Sequence, residues 1–80
     1  MKAVVKMYEV WVIRKENSDG SYSYYSHMAN GFPEWLVGHD SRENAKHFLT
    51  EEKAISVLKQ IEVYAIGSNA EVVKVKVKAL

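Results

Sequence analysis

The chain contains no cysteine among its 80 residues. Disulfides and thiolate metal sites are thereby excluded, and a reducing cytoplasm is the expected compartment. Proline occurs once and glycine four times, so the turns should be few and locatable. No apolar run reaches the roughly 18 residues needed to cross a bilayer, so no membrane partner is expected. The opening MKAVVKMYEVWVIRK looks faintly like a secretion signal. It lacks a small-residue cleavage site and carries Lys6 and Glu9 inside the stretch, so it reads as a strand. Neither sign of charge dominates. Eleven Lys and Arg against ten Asp and Glu leave a formal net charge of +1, too balanced to announce nucleic acid or an anionic membrane.

Chemical motifs are missing as well. Gly20, Gly31, Gly38 and Gly67 are scattered turn residues that form no phosphate-cradling loop. No serine sits in a nucleophile elbow or beside a histidine base. Glu51 and Glu52 are adjacent where a helix begins, and the helix dipole explains acids there without catalysis. The expectation is a protein that is not an enzyme, with no catalytic residue, no bound metal and no cofactor.

What is present is a globular composition, 48% hydrophobic and 26% charged, expected to form a single domain over residues 1–80. Ala3 to Lys15 is β-rich and apolar on both faces. Tyr8, Val10 and Val12 alternate with Val5, Met7, Trp11 and Ile13, and only Glu9 interrupts the second set. Such a strand is central or covered on both sides, and the pattern does not say which face meets a helix. Asp19-Gly20 supplies a hairpin turn, after which SYSYYSHM returns as a half-exposed antiparallel strand. Asn30-Gly31 and Pro33 mark another turn, and EWLV then forms a short strand or an apolar loop. From Thr50 the period becomes helical. Ala54, Val57, Leu58, Ile61, Tyr64 and Ala65 share one stripe, with Thr50 as N-cap and Gly67 as C-terminal stop. EVVKVKVKAL closes the chain as a strand with Val73, Val75 and Val77 inward and Lys74, Lys76 and Lys78 outward. The order β-β-(β)-α-β predicts an α+β fold, a small antiparallel-containing sheet with one amphipathic helix on one face.

WLVGHDSRENAKHF, residues 35–48, holds the letters most suggestive of chemistry. His39 and His47 are eight positions apart, with Asp40 between them and His27 upstream. That matches neither the i, i+4 pair a helix offers to zinc nor the wider spread of a ββα-metal nuclease, and the His-Asp dipeptide alone does not make a phosphohydrolase. Turn chemistry accounts for more of the letters. Gly38 permits a turn, Asp40 with Glu43 has capping-box spacing, and Ala45 and Phe48 supply inward contacts. His39 and His47 are left on the outside.

Two surfaces could bind something. Trp11, Tyr22, Tyr24, Tyr25, Phe32 and Trp35 are the aromatic residues expected to contact a protein partner, because aromatic anchors dominate interface energetics. Core packing is the competing role for Trp11 and Trp35. Alternatively, Lys74, Lys76 and Lys78 project from one strand face at phosphate-like spacing, and the hairpin tyrosines could stack bases of single-stranded nucleic acid or RNA. Lysine on an exposed strand also guards against edge-to-edge association. The doubly apolar first strand and the small core make a homodimer a further expectation.

The run Ala45-Lys46-His47-Phe48-Leu49-Thr50-Glu51-Glu52-Lys53-Ala54 forms an A-x-x-F-x-T-x-x-x-A pattern. Together with YEVWVIR, the Asp-Gly turn and the Tyr-rich return, it resembles small ββαβ accessory proteins of Firmicute phages and prophages. The resemblance covers most of the chain, and its motif is structural. It implies a phage accessory protein acting in the host cytoplasm. Such proteins include inhibitors of host defence, among them anti-CRISPR proteins, that bind a host protein stoichiometrically. The near-neutral charge departs from the acidic, DNA-mimicking kind.

Overall fold

The structure is a computed structural model that describes residues 7–64 and 69–78, and for Tyr64 the backbone alone. Expectations for Ala3 to Lys6, for the Tyr64 side chain, and for Ala65 and Gly67 lie outside the described residues. Six elements follow in order: β1 (Met7–Glu16), β2 (Tyr22–Ala29), β3 (Phe32–Leu36), α1 (Ser41–Asn44), α2 (Glu51–Tyr64) and β4 (Ala70–Lys78). The strands make one antiparallel sheet in the order β3-β2-β1-β4. The fold is α+β, one main helix on a four-stranded sheet.

Local chemistry sets each turn. In the β1–β2 loop the Asn17 N–H donates to the Ser21 carbonyl at 2.7 Å and the Gly20 N–H to the Asn17 carbonyl at 3.0 Å. The Asp19 carboxylate accepts from the Ser21 N–H at 2.9 Å and its hydroxyl at 2.5 Å. Those two bonds, the hydroxyl's first, hold the Asp19 carboxyl below its ordinary pKa. The buried Ser23 hydroxyl donates to the Asn17 side chain at 3.0 Å, so it enters the core satisfied. At the β2–β3 turn Asn30 and Gly31 both have positive φ, 53° and 83°, the backbone that a tight two-residue hairpin requires. EWLV does join a strand, and Pro33 is tolerated there because β3 is an edge.

Pairing partners in an antiparallel ladder share a face, so the registers settle what β1's alternation left open. One face carries Trp11 and Ile13 of β1, Val72 and Ala70 of β4, Ser23 and Tyr25 of β2, and Trp35 of β3. Helix α2 packs here. Ile13, Tyr25, Phe48, Ala54 and Ile61 form its buried cluster, with Trp11, Trp35, Val57, Leu58 and Val72 against them. Thr50 caps the helix as expected, its hydroxyl accepting from the Lys53 N–H at 3.3 Å. Burial raises the Tyr25 phenol above its ordinary pKa of 10.0.

The far face carries Tyr8, Val10 and Val12 of β1 with Val77, Val75 and Val73 of β4. Val73, Val75 and Val77 therefore point away from α2, whereas a one-helix sandwich would have turned them toward it. A second, smaller cluster explains this. Val10, Val12 and Val77 are buried beneath Ala45, with Val73, Val75 and Tyr24 packed beside them. Both faces of β1 are thus covered, and the lysines of β4 share the helix side of the sheet.

The chain reaches both faces because it passes through the sheet. β1 and β2 pair only from Arg14↔Tyr24 to Glu16↔Tyr22 and then diverge. Residues 45–48 fill the gap. The Lys46 N–H donates to the Tyr25 carbonyl at 2.9 Å, and Phe48 exchanges both backbone bonds with Trp11 at 2.8 and 2.9 Å. Ala45 belongs to the far cluster and Phe48 to the helix-side cluster. The Ala-x-x-Phe spacing marks this crossing, which carries the chain from α1 on one face to α2 on the other.

The raised Tyr25 pKa makes a pH prediction. The native state holds the phenolic proton more tightly than the unfolded chain does, so this contribution is complete below about pH 10 and is lost as pH rises through the native pKa. Denaturant titrations between pH 9 and 12 should show a shallower alkaline loss of stability in Tyr25→Phe than in the wild type. Equal slopes would show that Tyr25 titrates as freely in the folded protein as in the unfolded chain.

Candidate functional site

The structure separates the residues of the histidine stretch. His39 lies in the open, its ring 3.4 Å from the Asp40 carboxylate with 96% of the side chain exposed. His47 is half-buried, and its Nε2–H donates to the Arg42 carbonyl at 3.1 Å, closing the end of α1. It is a structural clasp and not the solvated residue that its position suggests. Asp40 stands at the N-cap of α1 but forms no side-chain cap. Its φ of 64° directs the side chain elsewhere, and the Asn44 amide instead donates to its carbonyl at 3.0 Å. The capping box therefore does not form. Among the described residues no three His, Asp or Glu side chains converge as a metal site would require.

The aromatic contact residues sort into core and surface. Tyr25 is 5% exposed and inside the helix-side cluster, so no partner reaches it. Trp35 packs edge-on against it, ring centroids 6.2 Å apart, and the Lys15 ammonium sits 4.7 Å above the Trp35 ring. Trp11 lies half-buried beneath Lys74 at 5.7 Å. Tyr22 is overlain by the Arg14 guanidinium at 4.0 Å. That guanidinium also donates to Glu71 at 3.2 and 3.3 Å. Tyr22, Trp11 and Trp35 thus each carry a cation over the ring, and Trp11 and Trp35 also pack against the helix-side cluster, the core role weighed for them. Tyr24 is half-exposed beside the far cluster, and Phe32 is 64% exposed on the outer strand.

The nucleic-acid constellation does not assemble. Lys74, Lys76 and Lys78 lie on the helix side of the sheet, whereas Tyr22 and Tyr24 lie on the far face with Arg14 and Glu71. Bases stacked on the hairpin would put their phosphates on the wrong side of the sheet for the lysines. Glu9 also draws Lys74 to 3.4 Å and faces Lys76 across the ladder.

A different surface emerges at the other end of the sheet. Tyr8, Val10 and Val77, from β1 and β4, and Leu49, just after the crossing, line a shallow groove of about 790 Å³ on the far face. Val10 and Val77 are its buried floor, while Tyr8 is 53% and Leu49 80% exposed. Asn44, Glu43 and the clasped His47 form a polar rim. Leu49 is held outward for a local reason. Phe48 on one side is fixed inside the sheet and Thr50 on the other is fixed as a helix cap, so the intervening side chain is directed to solvent. Sequence reasoning placed Tyr8 in a strand face and passed over Leu49. The available signal was that Leu49 is a large apolar residue falling outside both the strand alternation and the α2 stripe.

Comparison with family models, with curated proteins and with solved structures gives no match.

Proposed function

We propose that the chain is a non-enzymatic protein-binding domain. It is a phage or prophage accessory protein that inhibits a host defence protein by occupying its surface. The observation that carries the binding role is the groove between Tyr8 and Leu49. A polar-rimmed concavity with a buried aliphatic floor and two exposed apolar walls is the usual form of a protein contact, in which a small desolvated centre dominates the affinity. The phage origin and the host-defence target rest on the resemblance carried by YEVWVIR, the Asp19-Gly20 turn, the Tyr-rich return and residues 45–54. No helix among the described residues is long and apolar enough to cross a membrane.

Affinity capture with the immobilised protein tests this role against its alternative. A host protein should be retained from nuclease-treated Firmicute lysate in stoichiometric amount. The alternative is single-stranded nucleic-acid or RNA binding through Lys74, Lys76 and Lys78. It predicts oligonucleotide binding that weakens steeply between about 50 and 300 mM salt and is abolished by Lys74→Glu plus Lys76→Glu. That second outcome would overturn the proposal.

A further inference from the structure

The two edges of the sheet differ. β3 is five residues long and contains Pro33, which blunts it against pairing. β4 runs nine residues, with no glycine, proline or bulge, in unbroken register from Lys78 opposite Met7 to Ala70 opposite Lys15. Among the described residues it pairs with β1 alone. Trp11 directs its N–H and carbonyl at Phe48, so its antiparallel partner Lys74 directs its own backbone pair outward. The same alternation sends the backbone groups of Val72, Lys76 and Lys78 to the free edge, while those of Val73, Val75 and Val77 meet β1.

The residues that offer backbone bonds at this edge are thus mostly the residues that carry a positive charge. We infer that β4 is a docking edge for an extended partner segment alternating acidic and apolar side chains. This inference deepens the protein-binding reading and rests on it. The acidic residues of such a strand fall directly opposite Lys74, Lys76 and Lys78 on one face, and its apolar residues continue the Val73, Val75 and Val77 row on the other. Lys76 and Lys78 make no ion pair among the described residues, and all three lysines are exposed. A second copy of the chain is disfavoured by the same stripe. Antiparallel β4–β4 pairing centred on Val75 sets Lys74 against Lys76, and like charges directly opposite repel.

The test uses the full chain and a fluorescent nine-residue peptide alternating Glu and Val, with three controls. These are a block-scrambled peptide of the same composition, a peptide N-methylated at the amides that would face Lys74 and Lys76, and a single-stranded oligonucleotide. The expected result is at least tenfold tighter binding of the alternating peptide than of the first two controls. Amide exchange should slow at Val72, Lys74, Lys76 and Lys78. Lys76→Gln plus Lys78→Gln should weaken binding at least fivefold without changing the thermal midpoint. Equal binding of the scrambled or N-methylated peptide overturns the inference, as does oligonucleotide binding tighter than peptide binding and lost in the same variant. The broader reading fails separately. A captured host protein released by a Leu49 variant and untouched by the lysine variant refutes the edge alone, whereas failure to retain any host protein refutes the protein-binding role.

Discussion

Phe48→Ala should cost the protein about 3–5 kcal/mol, the usual range for removing a buried phenyl ring. A chain of this size has a total stability of about 4–12 kcal/mol, so the variant loses a large share of it. Phe48 is 7% exposed, and its ring joins Ile13, Tyr25, Ala54 and Ile61 at the centre of the helix-side cluster. Its backbone is also the piece that closes the gap beside Trp11. Loss of the ring therefore loosens both the α2 contact and the crossing between β1 and β2. Urea titration should show the midpoint falling by at least about a quarter with a similar slope. The neighbouring Leu49→Ala supplies the contrast. At 80% exposure it should shift stability by no more than about 0.5 kcal/mol. Similar losses at the two positions would mean that residues 45–49 do not cross the sheet as described.

The second large effect concerns binding. Leu49→Asp places a charge at the most exposed apolar residue of the groove that Tyr8, Val10 and Val77 also line. A central anchor is worth about 2 kcal/mol or more, so partner affinity should fall at least about 30-fold while the unfolding midpoint stays in place. Tyr8→Asp should act in the same direction, and less than additively, because the two side chains share one contact. Val63 provides the control. It is equally apolar and 71% exposed, but it stands on α2. Val63→Asp should leave affinity unchanged, and a loss equal to that of Leu49→Asp would move the contact to the helix.

Much of the fold was legible in the sequence because its signals are local. Asp19-Gly20 and Asn30-Gly31 carry the backbone freedom that the hairpins need, Thr50 caps α2, and Ala54, Val57, Leu58 and Ile61 form its inner stripe. The facing of β1 was not legible, since alternation gives Val10 and Val12 the same apolar claim as Trp11 and Ile13. The tie is broken by a non-local event, the passage of residues 45–48 between two strands. The same event explains why Val73, Val75 and Val77 face away from α2. It also explains why Tyr25, placed among surface tyrosines by its neighbours, is in the core. The capping-box spacing of Asp40 and Glu43 failed because Asp40 adopts positive φ, a conformation that the letters do not encode.

The candidate site was less legible still. Composition singles out aromatic residues, but a cation's position over a ring depends on cross-strand register. Arg14 reaches Tyr22 diagonally across the β1–β2 ladder, and Lys74 lies directly opposite Trp11. The groove joins the first strand to the last, Tyr8 of β1 to Val77 of β4, with Leu49 between them in sequence. No window along the chain contains those three residues.

The most direct measurement of the central claim is an amide-exchange footprint of the protein bound to its captured partner, compared with the free protein. Slower exchange at Tyr8 to Val10, at Leu49 and at Val77 is the predicted result, with the outward face of α2 unchanged. Protection concentrated on α2 or on the β1–β2 loop, with Leu49 exchanging as in the free protein, would contradict a contact built on this groove.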